Sequence, residues 1–241
     1  MTIRIGTLVP NTETPVGEGV NAAVRAIIKI NDSSYAAIVK RVSLDIVLAE
    51  CFCGKLFEAW GLPTPEPVIV NDGSKILFAS LDVGYPNLKH RLGWDDNLPD
   101  AQKQVLVKEC AKIICSWKDA PLALAADEAI GNSDRNLGNF LWDGTNHSYI
   151  DHERTLGVFP HTRNILAEIA ILIGKENEIS RSAVSATLTL DRSAAKKIPA
   201  PTGNDFSSFV AFVEGQLQGL ANLVLARFPK PIDLLSGLGP P

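Results

Sequence analysis

Short apolar runs broken by polar turns dominate the chain as far as Leu81. The stretches "AAVRAIIKI" and "YAAIVKRV" flank "NDSS", and this alternation around a polar break predicts an antiparallel hairpin. The period changes at Ser43. Ile46, Glu50, Cys53 and Phe57 recur at spacings of three and four, which predicts a helix over 43–60 with Ser43 as N-cap and Gly61 closing it. A rigid "GLPTPEP" follows. Then "VIVNDGSKILFASL" places Asn71-Asp72-Gly73 between two β-type runs, a strong hairpin signal. The predicted order over this part is β-β-β-α-β-β.

Beyond "DVGYPN" helical patterning takes over. Asp100 is placed to cap a long helix through "AQKQVLVKECAKIICSWKD", and further helices are predicted near "HTRNILAEIAILIG" and "DFSSFVAFVEGQLQGLANLVLARF". Between them, "FLW" and "SYI" around "DGTNH" predict a short hairpin. The expected fold class is therefore α+β and bilobal. A small β-rich lobe with one helix spans residues 1–81, and a mainly helical lobe spans 82–241.

Composition narrows the function. The chain has 241 residues, 46% of them hydrophobic, which is enough for a substantial core. Its net charge of −4 argues against a broad phosphate-backbone footprint, so no direct nucleic-acid binding is expected. No apolar run reaches the roughly 20 residues that span a bilayer, and the N-terminus has no signal-peptide pattern. A cytoplasmic protein without membrane contact is the expectation. Cys51, Cys53, Cys110 and Cys115 fit no zinc spacing and are expected as packed thiols.

Candidate chemistry concentrates in "SDRNLGNFLW" and "YIDHE". Spacing alone decides nothing, because Asp82 and Asn87, Asp127 and Asn132, and Asp134 and Asn139 all satisfy Asp-x4-Asn. Only Asn139 opens a predicted hairpin, whose return strand ends at Asp151. That geometry brings an amide and a carboxylate together. With Asp134 and Asn136 in the preceding loop, it matches the needs of phosphoryl transfer: an Asp to orient or deprotonate the acceptor, and an Asn and an Asp to ligate Mg²⁺. The same chemistry calls for a strand Lys and a helix Glu. Lys40 ends "YAAIVK". Glu50 lies on the apolar face of the helix, where an unpaired carboxylate would be costly. Lys40 is the expected partner and Arg41 the rival. Gly17 and Gly19 in "VGEGV" could cover phosphates with backbone N–H groups, or form a plain hairpin tip. Leu81 and Asp82, at the lobe joint, are candidate adenine contacts. His152 is either a partner of the neighbouring Asp or a structural histidine.

Taken together, "AAIVK", "AECFCGKLFEAWGLPTPEPV", "NSDRNLGNFLW" and "YIDHE" resemble the HipA-like kinases, particularly their small, compact members, and more distantly the phosphatidylinositol 3- and 4-kinases. The resemblance covers roughly Lys40 to Glu153. It implies a protein-kinase-like fold, ATP and Mg²⁺, and transfer of the γ-phosphate to a Ser or Thr hydroxyl of a protein. Several relatives are toxins that disable translation, and some phosphorylate themselves. An antitoxin or other regulatory partner is implied only by this resemblance. The Gly-Ala-Gln-Pro-Lys stretch of full-length HipA-type toxins is missing, and Asn136 stands where that family often has His. The segment after Asp151 is short, with Thr155 and Thr162 as candidate phosphorylation sites. Two other readings are a small-molecule kinase of the aminoglycoside or choline kinase type, and a catalytically idle nucleotide-binding module.

Overall fold

The computed structural model describes residues 2–16 and 23–229. The first part is a curled sheet of β1 (Arg4–Leu8), β2 (Thr14–Pro15), β3 (Val24–Ile30), β4 (Ser33–Lys40), β5 (Pro67–Asp72) and β6 (Lys75–Leu81), interrupted by helix α1 (Leu44–Ala59). The strands pair in the order β1-β5-β6-β4-β3-β2. Strand β1 also pairs with β3, so the sheet closes on itself and buries edges that would otherwise be exposed. Gly6 permits that closure, because a Cβ there would lie 2.9 Å from the Lys29 carbonyl. Alternating residues Ala26, Ile28, Ala37, Val39, Val68, Val70 and Ala79 fill the inside. The opposite face of β5 and β6 presents Ile69 and Phe78 to Val47 and Cys51 of α1.

Two local expectations shift slightly. Four strands precede α1, because the two-residue β2 escapes pattern recognition. In the β5–β6 hairpin Asp72 pairs with Lys75, so Gly73 and Ser74 make the turn, with Gly73 at φ +60.

The remainder contains α2 (Leu88–Arg91), α3 (Asp100–Ile114), α4 (Ala120–Ile130), the hairpin β7 (Phe140–Trp142) and β8 (His147–Tyr149), then α5 (Ile165–Leu172), α6 (Glu176–Thr189), α7 (Ser207–Gln218) and α8 (Leu220–Leu225). Pro99, rather than Asp100, occupies the N-cap position of α3, and that helix stops at Ile114, short of "CSWKD". The long C-terminal helix expected from the pattern divides at Gly219. Helix α4 has no counterpart in the sequence reading. Its residues "APLALAADEAI" are buried on nearly every side, so no polar face marks its period.

One large core joins α1 to the helices: Phe52, Leu56 and Phe57 share it with Leu124, Ile130, Leu166, Ala183 and Val213. All four cysteines are buried and free, and burial raises the Cys53 thiol to about 12, so it stays protonated. Among the described residues no helix is long and apolar enough to cross a membrane.

Adjacent carboxylates at the end of α4 point to different elements. Glu128 is buried, accepts Arg227 Nε at 2.8 Å and Asn164 Nδ2 at 2.9 Å, and so fastens the end of α8 to the start of α5. Removing one partner of a buried ion pair strands the other charge. Arg227→Met is expected to lower unfolding stability by on the order of 3 kcal/mol in urea titration. A change within error would show that Glu128 does not depend on Arg227.

Candidate active site

Strand alternation selects the cation. Ala37 and Val39 of β4 point inside the curled sheet, so Lys40 points to the other face, over the Phe78 ring at 5.9 Å. There its ammonium donates to Glu50 Oε1 at 2.8 Å and to Asp151 Oδ1 at 2.7 Å, with Glu153 Oε2 at 3.7 Å. Arg41 turns away to Glu13 and Asp72 at the surface. Glu50 is only 2% exposed, and its second oxygen accepts the His152 backbone N–H at 2.8 Å. Glu50 thus joins strand, helix and hairpin. The His152 ring packs edge-on against Phe57, with its Nδ1 3.6 Å from Glu50 Oε2.

The hairpin delivers Asp151 as its register requires. Phe140 pairs with Tyr149, and the Ile150 N–H donates to the Asn139 carbonyl at 3.1 Å. Asp151 itself has φ +69, a left-handed conformation that a non-glycine residue holds only when its surroundings enforce it. The enforcement is visible. The Tyr149 N–H donates to the Pro63 carbonyl, the Thr64 hydroxyl donates to the Tyr149 carbonyl, and Arg135 donates to the Ile150 carbonyl at 2.6 Å. The rigid "GLPTP" segment therefore serves as a brace for the return strand.

Gly131, at φ +62, ends α4 and releases the loop that follows. Within that loop Asn136 Oδ1 accepts the Gly138 N–H, while Asn136 Nδ2 and Asn139 Nδ2 both donate to the Asp134 carbonyl. Asn136 accordingly shapes the loop. The Asp134 carboxylate stands 45% exposed. Asn139 is buried, and with its amide nitrogen committed, its oxygen is the atom left to accept a cation. An amide oxygen and a carboxylate that line one cleft, as Asn139 and Asp151 do, are suitable donor types for a hard divalent ion such as Mg²⁺.

Asp127 and Arg135 were not singled out from the sequence as site residues, yet they anchor this loop. Arg135 donates from Nε and Nη2 to the two oxygens of Asp127 at 2.9 and 2.8 Å, both groups buried, and Asn132 Nδ2 joins them at 3.1 Å. The Asp127–Asn132 spacing, indistinguishable from chance in the sequence, is thus a real hydrogen bond. Glu153, third in the carboxylate group with Glu50 and Asp151, was likewise not selected.

A cleft of about 650 Å³ opens over these groups, bordered by Lys40, Phe78, Tyr85, Asp134, Asn139 and Asp151. That volume lies within the range of nucleotide-sized ligand sites. Leu81 and Asp82 also line it, but their backbone N–H groups are spent on the Glu66 and Ala36 carbonyls, and the Asp82 carboxylate holds Arg25 and the Gly84 N–H. Neither amide is free to donate to a base. Gly17 and Gly19 lie outside the described residues. Thr155 is fully buried, whereas Thr162 is exposed.

No family model matches the sequence, and no curated protein matches it. Solved structures do. The chain is similar to the Helicobacter pylori proinflammatory kinase CtkA, at 14% identity and a TM-score of 0.51 over 94% of this chain and 98% of that one. It is also similar to HipA of Shewanella oneidensis, solved with HipB and operator DNA as a toxin–antitoxin system, at 14% identity and a TM-score of 0.56. That match covers 90% of this chain and 66% of HipA. The mixed α/β fold is that of HipA-like kinases.

Burial alone would raise the Glu50 carboxyl, but the Lys40 charge and the nearby His152 side chain override it and hold the group at about 2, below its ordinary 4.5. A depressed folded value stabilises the protein fully above the unfolded value, and that stability is lost as pH falls towards the folded one. Stability should therefore decline between pH 4.5 and 2 in part through Glu50. In Glu50→Gln, chemical denaturation across that window should show a shallower pH slope. An identical slope would mean that Glu50 does not titrate as described.

Proposed function

We propose that this protein is an ATP- and Mg²⁺-dependent kinase that transfers the γ-phosphate to a serine or threonine hydroxyl of a protein. The observation that carries this reading is the Lys40 ammonium bridging Glu50 and Asp151 at the mouth of the cleft. The kinase fold of the neighbours CtkA and HipA supports it. Residues 1–81 act as a nucleotide-binding lobe and 82–241 as a catalytic lobe, with α1 packed into the core of the second.

Each group has a task in this reading. An ammonium has three donors, and with two on Glu50 and Asp151, Lys40 keeps one for an α- or β-phosphate oxygen. Asn139 and Asp151 would hold Mg²⁺, which when bound offsets the charge on the phosphates. The acceptor hydroxyl lies against Asp134. Its oxygen forms the new bond to the γ-phosphorus as the bond to the β–γ bridging oxygen breaks. The electron pair leaves with ADP, and the acceptor proton passes to Asp134. The asparagine bonds to the Asp134 carbonyl fix that residue's backbone before substrate arrives. A regulatory partner comparable to the HipB that accompanies the Shewanella HipA, and a cytoplasmic site of action, belong to the same reading.

Two variants test it. Asp134→Ala is expected to cut phosphate transfer from radiolabelled ATP by roughly 10²–10⁴ while Mg-ATP still raises the melting temperature. Asp151→Ala should lose the Mg²⁺-dependent part of that thermal shift. Undiminished transfer by either variant contradicts the roles assigned. A Mg-ATP shift in the wild type without transfer to any protein or small molecule would favour an idle nucleotide-binding module.

A further inference from the structure

Beyond Asp134 the chain enters a segment, 154–164, that is fixed at both ends and apolar in its middle. At the near end the Ser133 N–H and hydroxyl both donate to the Arg154 carbonyl at 3.0 Å, and the Thr155 hydroxyl donates to the His152 carbonyl. The Leu156 N–H reaches the Ile130 carbonyl at 2.7 Å. Leu156 and Gly157 both take left-handed φ values, +58 and +79, and a Cβ on Gly157 would come within 2.8 Å of Phe212. At the far end Arg227 Nη2 donates to the His161 carbonyl at 3.0 Å, and Asn164 caps α5. Between these anchors Val158 is 66% and Phe159 is 42% exposed.

Exposed apolar side chains on loops that fray need no explanation. Here the backbone beneath them is tied down, so the pair is held out in a set position. It also sits next to the proposed reaction. The Arg154 guanidinium lies 3.9 Å from Asp134 Oδ2 and 4.7 Å from the centre of the Phe159 ring, which places Phe159 one side chain away from the acceptor carboxylate. Arg154 is itself 49% exposed.

We propose that Val158 and Phe159, with Arg154 beside them, form a docking ledge for a polypeptide acceptor. It receives an apolar side chain close in sequence to the hydroxyl that is phosphorylated. This rests on the kinase reading above and names the acceptor's character. A protruding apolar pair suits an extended peptide, whose backbone can pass Asp134 while a neighbouring side chain lies on Phe159. Charge points the same way: a cationic side chain laid on Phe159 would meet the Arg154 guanidinium 4.7 Å from that ring, so the ledge favours an apolar, neutral or acidic peptide segment.

The test is a positional-scanning array of serine peptides, phosphorylated by the full chain with Mg-ATP. The expected result is selection of Leu, Ile, Val or Phe at one position near the serine, and rejection of Lys and Arg there. In the double variant Val158→Ser, Phe159→Ser, KM for the preferred peptide should rise about tenfold, the scale of discrimination by a small apolar contact, with kcat little changed. Both residues are exposed, so the fold and the Mg-ATP thermal shift should be retained. No apolar preference, or an unchanged KM in the double variant, overturns the ledge and leaves the kinase reading standing. Absence of transfer to every peptide also overturns the ledge. If the wild type in addition shows no Mg-ATP shift, the kinase reading falls with it.

Discussion

A carboxylate buried in an apolar helix face must have a cation, and Glu50 obtains one from a strand and further support from a hairpin more than a hundred residues away. That requirement organises the site. Because Glu50 uses one oxygen on Lys40 and the other on the His152 N–H, the sheet, α1 and the β7–β8 hairpin are locked in a single mutual arrangement. The same Lys40 then reaches Asp151, so a solution to a burial problem also assembles the charged mouth of the cleft.

A second buried pair carries out the corresponding task on the other side. Arg135 and Asp127 tie the loop bearing Asp134 to the end of α4, and Arg135 continues to the Ile150 carbonyl, one residue before Asp151. The carboxylates proposed for the acceptor and for the metal, Asp134 and Asp151, are thereby referred to one rigid guanidinium. Such pre-organisation matters for phosphoryl transfer, where positioning and electrostatics supply most of the catalysis.

What could be read from the sequence was whatever a local period encodes. The run "YAAIVK" pointed to Lys40 while leaving Arg41 as a rival, the helical period exposed Glu50 as a carboxylate on an apolar face, and the expected hairpin tied the start of its first strand, Asn139, to the end of its second, Asp151. Features without a local period were not legible. Helix α4 is buried on nearly every side, so no exposed polar stripe marks its period. The Asp127–Arg135 pair is a contact across a turn that no local period marks. Leu81 and Asp82 sit at the cleft as expected, yet only the strand pairing reveals that their amides are already spent. The closure of β1 on β3 at Gly6 is likewise a tertiary fact.

The most direct test of the central claim is a calorimetric titration of ATP, with and without Mg²⁺, into the wild-type chain and into Lys40→Met. The account predicts Mg²⁺-dependent binding by the wild type and at least about a tenfold loss of affinity in the variant, the equivalent of one charge-assisted bond. Wild-type protein that takes up no ATP in either condition, or a Lys40→Met variant that binds it equally well, would contradict a site built around that ammonium.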